Sequence, residues 1–290
     1  MTSGAPIVGL LHTIIRKEEK MLLTELQQLG AHVVMIPDRE FSCNTGSLHE
    51  IQPVEVLLCR SMSQWRNVYA SRLWQAIGTP CVNSADLVDL CGDKLRTTLA
   101  LRSHGVPHVP AGLAFTSEAA LELMDRMGYP LVVKPLQGSW GRLIGKINDR
   151  DAAESILDHK EAIGSAPHAA VYVQPFVDKG PRDIRAFVIG GECIAAIYRT
   201  GTHWKTNTAL GATASNCPVD DKLADISVHA AIAVGGGAVA VDLFETPDGY
   251  VVNEVNGTME FRNSIEPTGV NIPAYLAAYA LRQIGSVTTT

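Results

Sequence analysis

Near the C-terminal end of this chain, two short apolar runs each carry a carboxylate that a strand can hold only at a surface or beside a cation. Val241–Asp242–Leu243 is followed by Val252–Asn253–Glu254–Val255–Asn256–Gly257. Successive side chains of a strand point to opposite faces, so Glu254 and Asn256 share one face and an Asp on a partner strand can join them. Three oxygen-bearing side chains side by side suit Mg²⁺, which is usually held by one or two carboxylates together with the phosphates of a nucleotide. A plain hairpin with an acidic solvent face fits the same residues, because Thr246–Pro247–Asp248–Gly249 is a turn sequence. Either way, the segment folds as paired strands.

The chain has 290 residues, which suits two or three packed α/β subdomains rather than one simple core. With 46% hydrophobic and 19% charged residues it has the composition of an ordinary soluble enzyme. A net charge of −6 argues against a general nucleic-acid binder, which needs a surplus of Lys and Arg to neutralise phosphates. No apolar run reaches membrane-spanning length and the N-terminus lacks a basic segment followed by an apolar one, so the expectation is a cytoplasmic protein with no membrane partner. The six cysteines form no C-x-x-C pair and read as reduced thiols.

The first segment alternates short apolar runs, Pro6–Leu11, His32–Ile36 and Val54–Arg60, with a helical stretch near Glu18–Leu29 that ends at Gly30. This predicts a small parallel, Rossmann-like sheet, and the absence of G-x-G-x-x-G gives no dinucleotide site there. A middle segment holds a helix with Lys94 and Arg96 near its start, a helix over Glu118–Met127, a strand Leu131–Lys134, a glycine-rich loop Gly138–Gly145 and a strand Val171–Gln174. Strands Asp183–Ile189 and Cys193–Arg199, a polar loop, a helix, the carboxylate hairpin and a closing helix near Ile272–Ile284 follow. The expected division is 1–92, 93–175 and 176–290, an α/β chain in three parts.

Lys134 ends a buried apolar strand, so its ammonium must emerge at the sheet's edge or find a partner, and a phosphate is one. In the loop that follows, Gly138, Ser139 and Gly141 belong to a run whose glycines allow backbone N–H groups to approach an anion, although tight turns look the same. Gln174–Pro175–Phe176–Val177 can act as a hinge whose backbone meets an adenine edge while Phe176 covers the ring, or as a plain connecting strand. Arg185 and Arg199 alternate with apolar residues on adjacent strands, which places both on one face near the acidic hairpin, as it also would on a solvated sheet. Two fixed guanidinium groups there suit phosphoryl transfer to a carboxylate.

In this order, Asp93–Lys94, Val133–Lys134–Pro135, the glycine loop, Gln174–Val177, Asp183–Ile184–Arg185, Asn207 with Gly211, Asp242 and Asn253–Asn256 resemble the ATP-grasp superfamily, and within it the RimK-like branch. The stretch Gly257–Asn263, with Thr268–Ile272, is similar to the LysX group of lysine-biosynthesis ligases, which join 2-aminoadipate to the C-terminal Glu of the carrier protein LysW. The resemblance implies a three-domain ATP-grasp fold with an N-terminal Rossmann-like domain and ATP between the last two parts. It implies that Lys94 and Lys134 hold phosphates, Gln174 and Val177 meet adenine, and Asp183 reaches the ribose or purine side. It also implies that Asp242, Glu254 and Asn256 bind two Mg²⁺ ions, and that Arg199 stabilises an acyl phosphate.

Thr258, Arg262, Asn263, Thr268 and Gly269 follow the metal ligands and are expected to select the amino acid. An acidic carrier needs a basic landing site, for which Arg60, Arg66, Arg72 and Arg262 are the candidates. A homo-oligomer, dimer or tetramer, is also expected. The nearest rival adds glutamate to a carrier, a ribosomal protein tail or a small cofactor by the same chemistry. A non-catalytic nucleotide-binding regulator would be favoured if a metal ligand were missing, and all three are present.

Overall fold

The computed structural model describes residues 4–138, 143–163, 170–206 and 211–285. Its first part is β1 (Ile7–His12), α1 (Lys17–Gln28), β2 (His32–Pro37), β3 (Val56–Arg60), α2 (Gln64–Ala76) and β4 (Cys81–Val82), with the strands parallel in the order β2-β1-β3-β4. The expected parallel sheet is there. Its fourth strand has two residues, too few to show a period. Two helices, α3 (Ala85–Cys91) and α4 (Lys94–Ser103), lead onward, each started by a side chain that accepts from an orphan amide, Ser84 from Leu87 and Asp93 from Arg96.

The middle part comprises β5 (Gly112–Ala114), α5 (Ser117–Met127), β6 (Leu131–Lys134), β7 (Gly145–Ile147), α6 (Arg150–Ile163) and β8 (Val171–Pro175), an antiparallel sheet in the order β5-β8-β6-β7. It has its own core, in which Ala120 and Met124 of α5 and Ala153 and Leu157 of α6 pack on Leu131, Val133, Ile147 and Val173. The strands β5 and β7, three residues each, are too short to show a period in the sequence; α6 does carry helical spacing, in Ala152, Ala153, Ile156 and Leu157, yet is not among the expected elements.

The last part contains β9 (Arg182–Ile189), β10 (Glu192–Thr200), β11 (Thr213–Asn216), α7 (Asp221–Ala233), β12 (Ala238–Thr246), β13 (Gly249–Asn256), α8 (Ile265–Thr268) and α9 (Ile272–Arg282). Its strands are antiparallel in the order β11-β10-β9-β12-β13. Ile184, Ala186 and Val188 of β9 and Val239, Val241 and Leu243 of β12 pack beneath α7 on one face. On the other face, Phe187 and Ile189 enter a second core with Ala238 and Ala240, α9, α1, and Val8, Leu10, Val56 and Leu58 of the parallel sheet. The first and last parts therefore share one core. Further along that same face, β9 carries Arg185 and Asp183 instead of apolar residues, so the face turns from core into polar site within one strand.

Candidate active site

The charged end of this face is assembled from four strands. Asp242 of β12 lies opposite Arg185 of β9 and opposite Glu254 of β13, and Arg199 of β10 lies opposite Asp183. Arg185 grips Asp242 bidentately, Nε to Oδ1 at 2.7 Å and Nη2 to Oδ2 at 2.8 Å, while Arg199 bonds Asp183 at 2.7 Å and approaches Asp242 Oδ2 at 3.2 Å. Burial pushes the Asp242 carboxyl up, but Arg185 and Arg199 outweigh it and hold the pKa down to about 2. For the buried Arg199 the same balance, with Asp242 and Asp183 prevailing over desolvation, raises the pKa. Asp242 is thus an anion throughout the neutral range.

A bulge completes the arrangement. The register of β12 with β13 passes from Asp242–Glu254 to Leu243–Val252, which leaves Asn253 as an extra residue. Strict alternation would send Asn253 into the core beside Val255. Instead Val252 and Val255 both pack beneath the sheet, and Asn253, Glu254 and Asn256 all line the cavity on the other side. The Asn253 amide oxygen accepts from Lys134 Nζ at 2.8 Å, tying the end of β6 to β13 across the cavity. Burial, ahead of the opposing pull of Glu254, pushes the Lys134 ammonium down to about 8. Glu254 has no hydrogen-bond or ion-pair partner within the described residues, and Asn256 Nδ2 is 3.5 Å from Asp242 Oδ2. Two carboxylates and an amide, with Glu254 free to bind, form an oxygen donor set that fits Mg²⁺. Among the described residues no three His, Cys, Asp or Glu side chains converge, so the amide is needed to complete it.

These groups line one cavity of about 1300 Å³ that all three parts of the chain enclose. Its far end is walled by Gln174, Pro175, Phe176 and Val177. Gln174 donates to Val109 O and to the Tyr172 hydroxyl, and its Oε1 is buried with no partner among the described residues. Phe176 meets the Trp204 ring edge-on at 6.0 Å and lies under Lys146 Nζ at 3.6 Å. Lys94 Nζ donates to Gly138 O at 2.8 Å, so the start of α4 touches the glycine loop. At the opposite end Arg16, Ser61, Asn67, Gly257, Thr258 and Glu260 complete the lining.

The structure thus gathers Lys94, Lys134, Gly138, Gln174, Pro175, Phe176, Val177, Asp183, Arg185, Arg199, Asp242, Glu254, Asn256 and Thr258 around one space. Ser139, Gly141 and Asn207 lie outside the described residues. Asp183, expected on the ribose or purine side, has its oxygens engaged by Arg199 and Thr206, with Lys179 3.9 Å away. Four residues expected to select the amino acid are not in the lining. Arg262 is half exposed and faces Glu18 at 3.9 Å, Asn263 is exposed, the Thr268 hydroxyl turns back to Ser264 O at 2.6 Å, and Gly269 caps α8 with a φ of 69°. The reason is the inward alternation of Met259 and Phe261, both buried, which carries the chain away from the cavity after Glu260.

The expected arginine patch also changes. Arg60 is only 2% exposed, and Arg66 and Arg72 are paired with Asp38 and Asp86. Arg16, Asn67 and Lys179, which the sequence did not single out, line the same cavity; distance in the chain hides Arg16 and Asn67, whereas Lys179 lies between Val177 and Asp183 and belongs to no motif.

Residues 91–280 match the model of the RimK-like ATP-grasp domain and residues 8–90 match that of the LysX preATP-grasp domain. The chain is 35% identical over 274 residues to the alpha-aminoadipate–LysW ligase LysX of Sulfurisphaera tokodaii, covering 93% of this chain and 96% of that one. It is 34% identical over 277 residues to the glutamate–LysW ligase ArgX of the same organism, covering 94% and 97%. Among solved structures, a RimK domain ATP-grasp protein from Sphaerobacter thermophilus superposes with a TM-score of 0.79 at 25% identity, over 94% of this chain and 99% of that one.

Proposed function

This chain belongs to the RimK-like ATP-grasp family of ligases, and we propose that it joins an acidic α-amino acid, 2-aminoadipate, to the C-terminal Glu of a small acidic LysW-type carrier protein. The chemistry is that of an ATP-dependent, ADP-forming carboxylate–amine ligase. A carboxylate is a poor electrophile, so the acceptor carboxylate is first activated as an acyl phosphate with release of ADP. The α-amino nitrogen then attacks the acyl carbon, phosphate leaves, and the amine loses its proton as the amide forms.

The observation that carries this reading is the charged sheet face opening onto a cavity bounded by all three parts of the chain. In it, Lys94 and Lys134 hold phosphate oxygens, and Gln174 to Val177 enclose the base. Asp242, Glu254 and Asn256 hold Mg²⁺, in our reading two ions, which when bound neutralises phosphate charge and the charge developing on the transferred group. Arg199, fixed by Asp183 and Asp242, is aimed at that group from a position that needs no reorganisation. Thr258 and Glu260 border the incoming amino acid at the end of the cavity facing the parallel sheet.

The ArgX relative supports a second reading, glutamate in place of 2-aminoadipate. The two differ by one methylene, which a pocket distinguishes by only about 1–3 kcal/mol. The test offers the protein ATP, Mg²⁺ and a Glu-terminated acidic carrier with either amino acid, and weighs the carrier afterwards. A mass gain with 2-aminoadipate in preference supports the first reading, and a gain with glutamate alone supports the second. Labelling of neither refutes the carrier. The reading includes a cytoplasmic location and a homo-oligomer, dimer or tetramer, which sedimentation tests; no helix among the described residues is long and apolar enough to cross a membrane.

A further inference from the structure

The four residues after Asn256 are each held by a different side chain from the first part of the chain. Asn83 Nδ2 donates to Gly257 O at 2.7 Å, Asn67 Nδ2 to Thr258 Oγ1 at 3.4 Å, Arg60 Nη1 to Met259 O at 2.7 Å, and Arg16 Nη1 to Glu260 Oε1 at 2.9 Å. The holders are themselves fixed. Asn83 exchanges two further bonds with the Ala238 backbone, Asn67 exchanges two with Ser61, and Glu19 grips Arg16 through both oxygens.

Arg60 is the costly member. Its guanidinium is buried at the end of β3, 5.4 Å over the Phe261 ring and 3.4 Å from Glu19, and its Nε and Nη2 have no hydrogen-bond partner among the described residues. A buried cation with unsatisfied donors is poor value as mere packing, since an apolar side chain of similar volume usually serves stability as well or better. Its one well-formed bond goes to the peptide between the two cavity-lining residues Thr258 and Glu260.

We infer that Arg60 is a positioning residue for the incoming amino acid: by holding the Met259 carbonyl against the rigid end of β3, it fixes how Thr258 and Glu260 face the cavity. This rests on the reading that these two residues border the amino acid. Arg60 itself does not line the cavity, so its effect is transmitted through the loop alone.

The test compares wild type with R60K, which keeps a cation beside Glu19, and R60M, which removes it. In both variants the KM for the amino acid rises about tenfold, the worth of one hydrogen bond to a buried group, while the dissociation constant for ATP is unchanged. The carbonyl carbon resonance of Met259 and the amide resonances of 258–261 shift, with those of β6 and β8 unaffected. Unchanged resonances at 258–261 overturn the inference, as does an equal loss of ATP and amino-acid affinity, which would make Arg60 a general structural support. If R60M does not fold, R60K decides by the same two readings. If wild type joins no acidic amino acid, the substrate reading fails separately, and the resonances of 258–261 in the variants still decide whether Arg60 holds the loop.

Discussion

Arg199 holds two buried carboxylates at once, and this governs how its role can be measured. Arg199→Ala would strand Asp183 and Asp242, and removing one partner of a buried pair costs about 3–5 kcal/mol. The informative variant is Arg199→Lys, which keeps a charge but loses the planar fork. It is expected to lower the ligation rate far more than ATP affinity, because a charge aimed at the transferring group acts in the transition state; steady-state rates beside calorimetry separate the two. Lys134 gives a pH signature. Its pKa lies below the ordinary lysine value, so between about 8 and 10.5 the unfolded chain binds the proton and the folded one does not. Its contribution therefore makes the ligand-free fold more stable as pH rises through that window. Phosphate binding needs the ammonium, so ATP affinity is expected to fall as pH climbs through 8, with proton uptake on binding; calorimetry at pH 7 and pH 9 reads both.

At the scale of elements, the strand-borne half of the site was legible because period-two alternation announces itself. Asp242, Glu254, Asn256, Arg185 and Arg199 share a face as that alternation predicts. It fails at Asn253, because a bulge cannot be read from apolar spacing, and again after Gly257, where Met259 and Phe261 turn inward and carry Arg262 away. Strands β5 and β7 escaped notice because elements of three residues owe their form to what they pack against, whereas α6 was legible, its Ala153, Ile156 and Leu157 recurring at helical spacing. Arg60 reads from sequence as part of a basic surface, yet burial depends on partners two hundred residues away. The bulge makes its own prediction. Asn253→Ala leaves the Lys134 ammonium buried without a hydrogen bond, costing about 1–3 kcal/mol in urea unfolding and weakening ATP binding, while Asn253→Asp preserves an acceptor and should restore both.

For the whole molecule, the distribution of cores decides what can move. The parallel sheet, α1, α9 and the large antiparallel sheet are welded by one apolar cluster, whereas the middle sheet with α5 and α6 encloses another. Across the cavity the two bodies meet through polar links such as Lys134 to Asn253 and Lys205 Nζ to Ile144 O. The middle sheet is therefore expected to act as the mobile jaw. A nonhydrolysable ATP analogue with Mg²⁺ should slow hydrogen exchange in β6, β7 and β8 more than in β1 or β3, and equal protection everywhere would contradict a jaw.

The shared core also sets a timetable for the nascent chain. Leu22 and Leu26 of α1 pack in the same cluster as Ile272, Leu276 and Ala280 of α9, so α1 finishes burying its apolar face only once α9 has been synthesised. At about 5–20 residues per second the interval is about 10–50 s. Throughout that time the parallel sheet has one side uncovered, and translation that stops short of α9 yields a product whose hydrophobic flank is never closed.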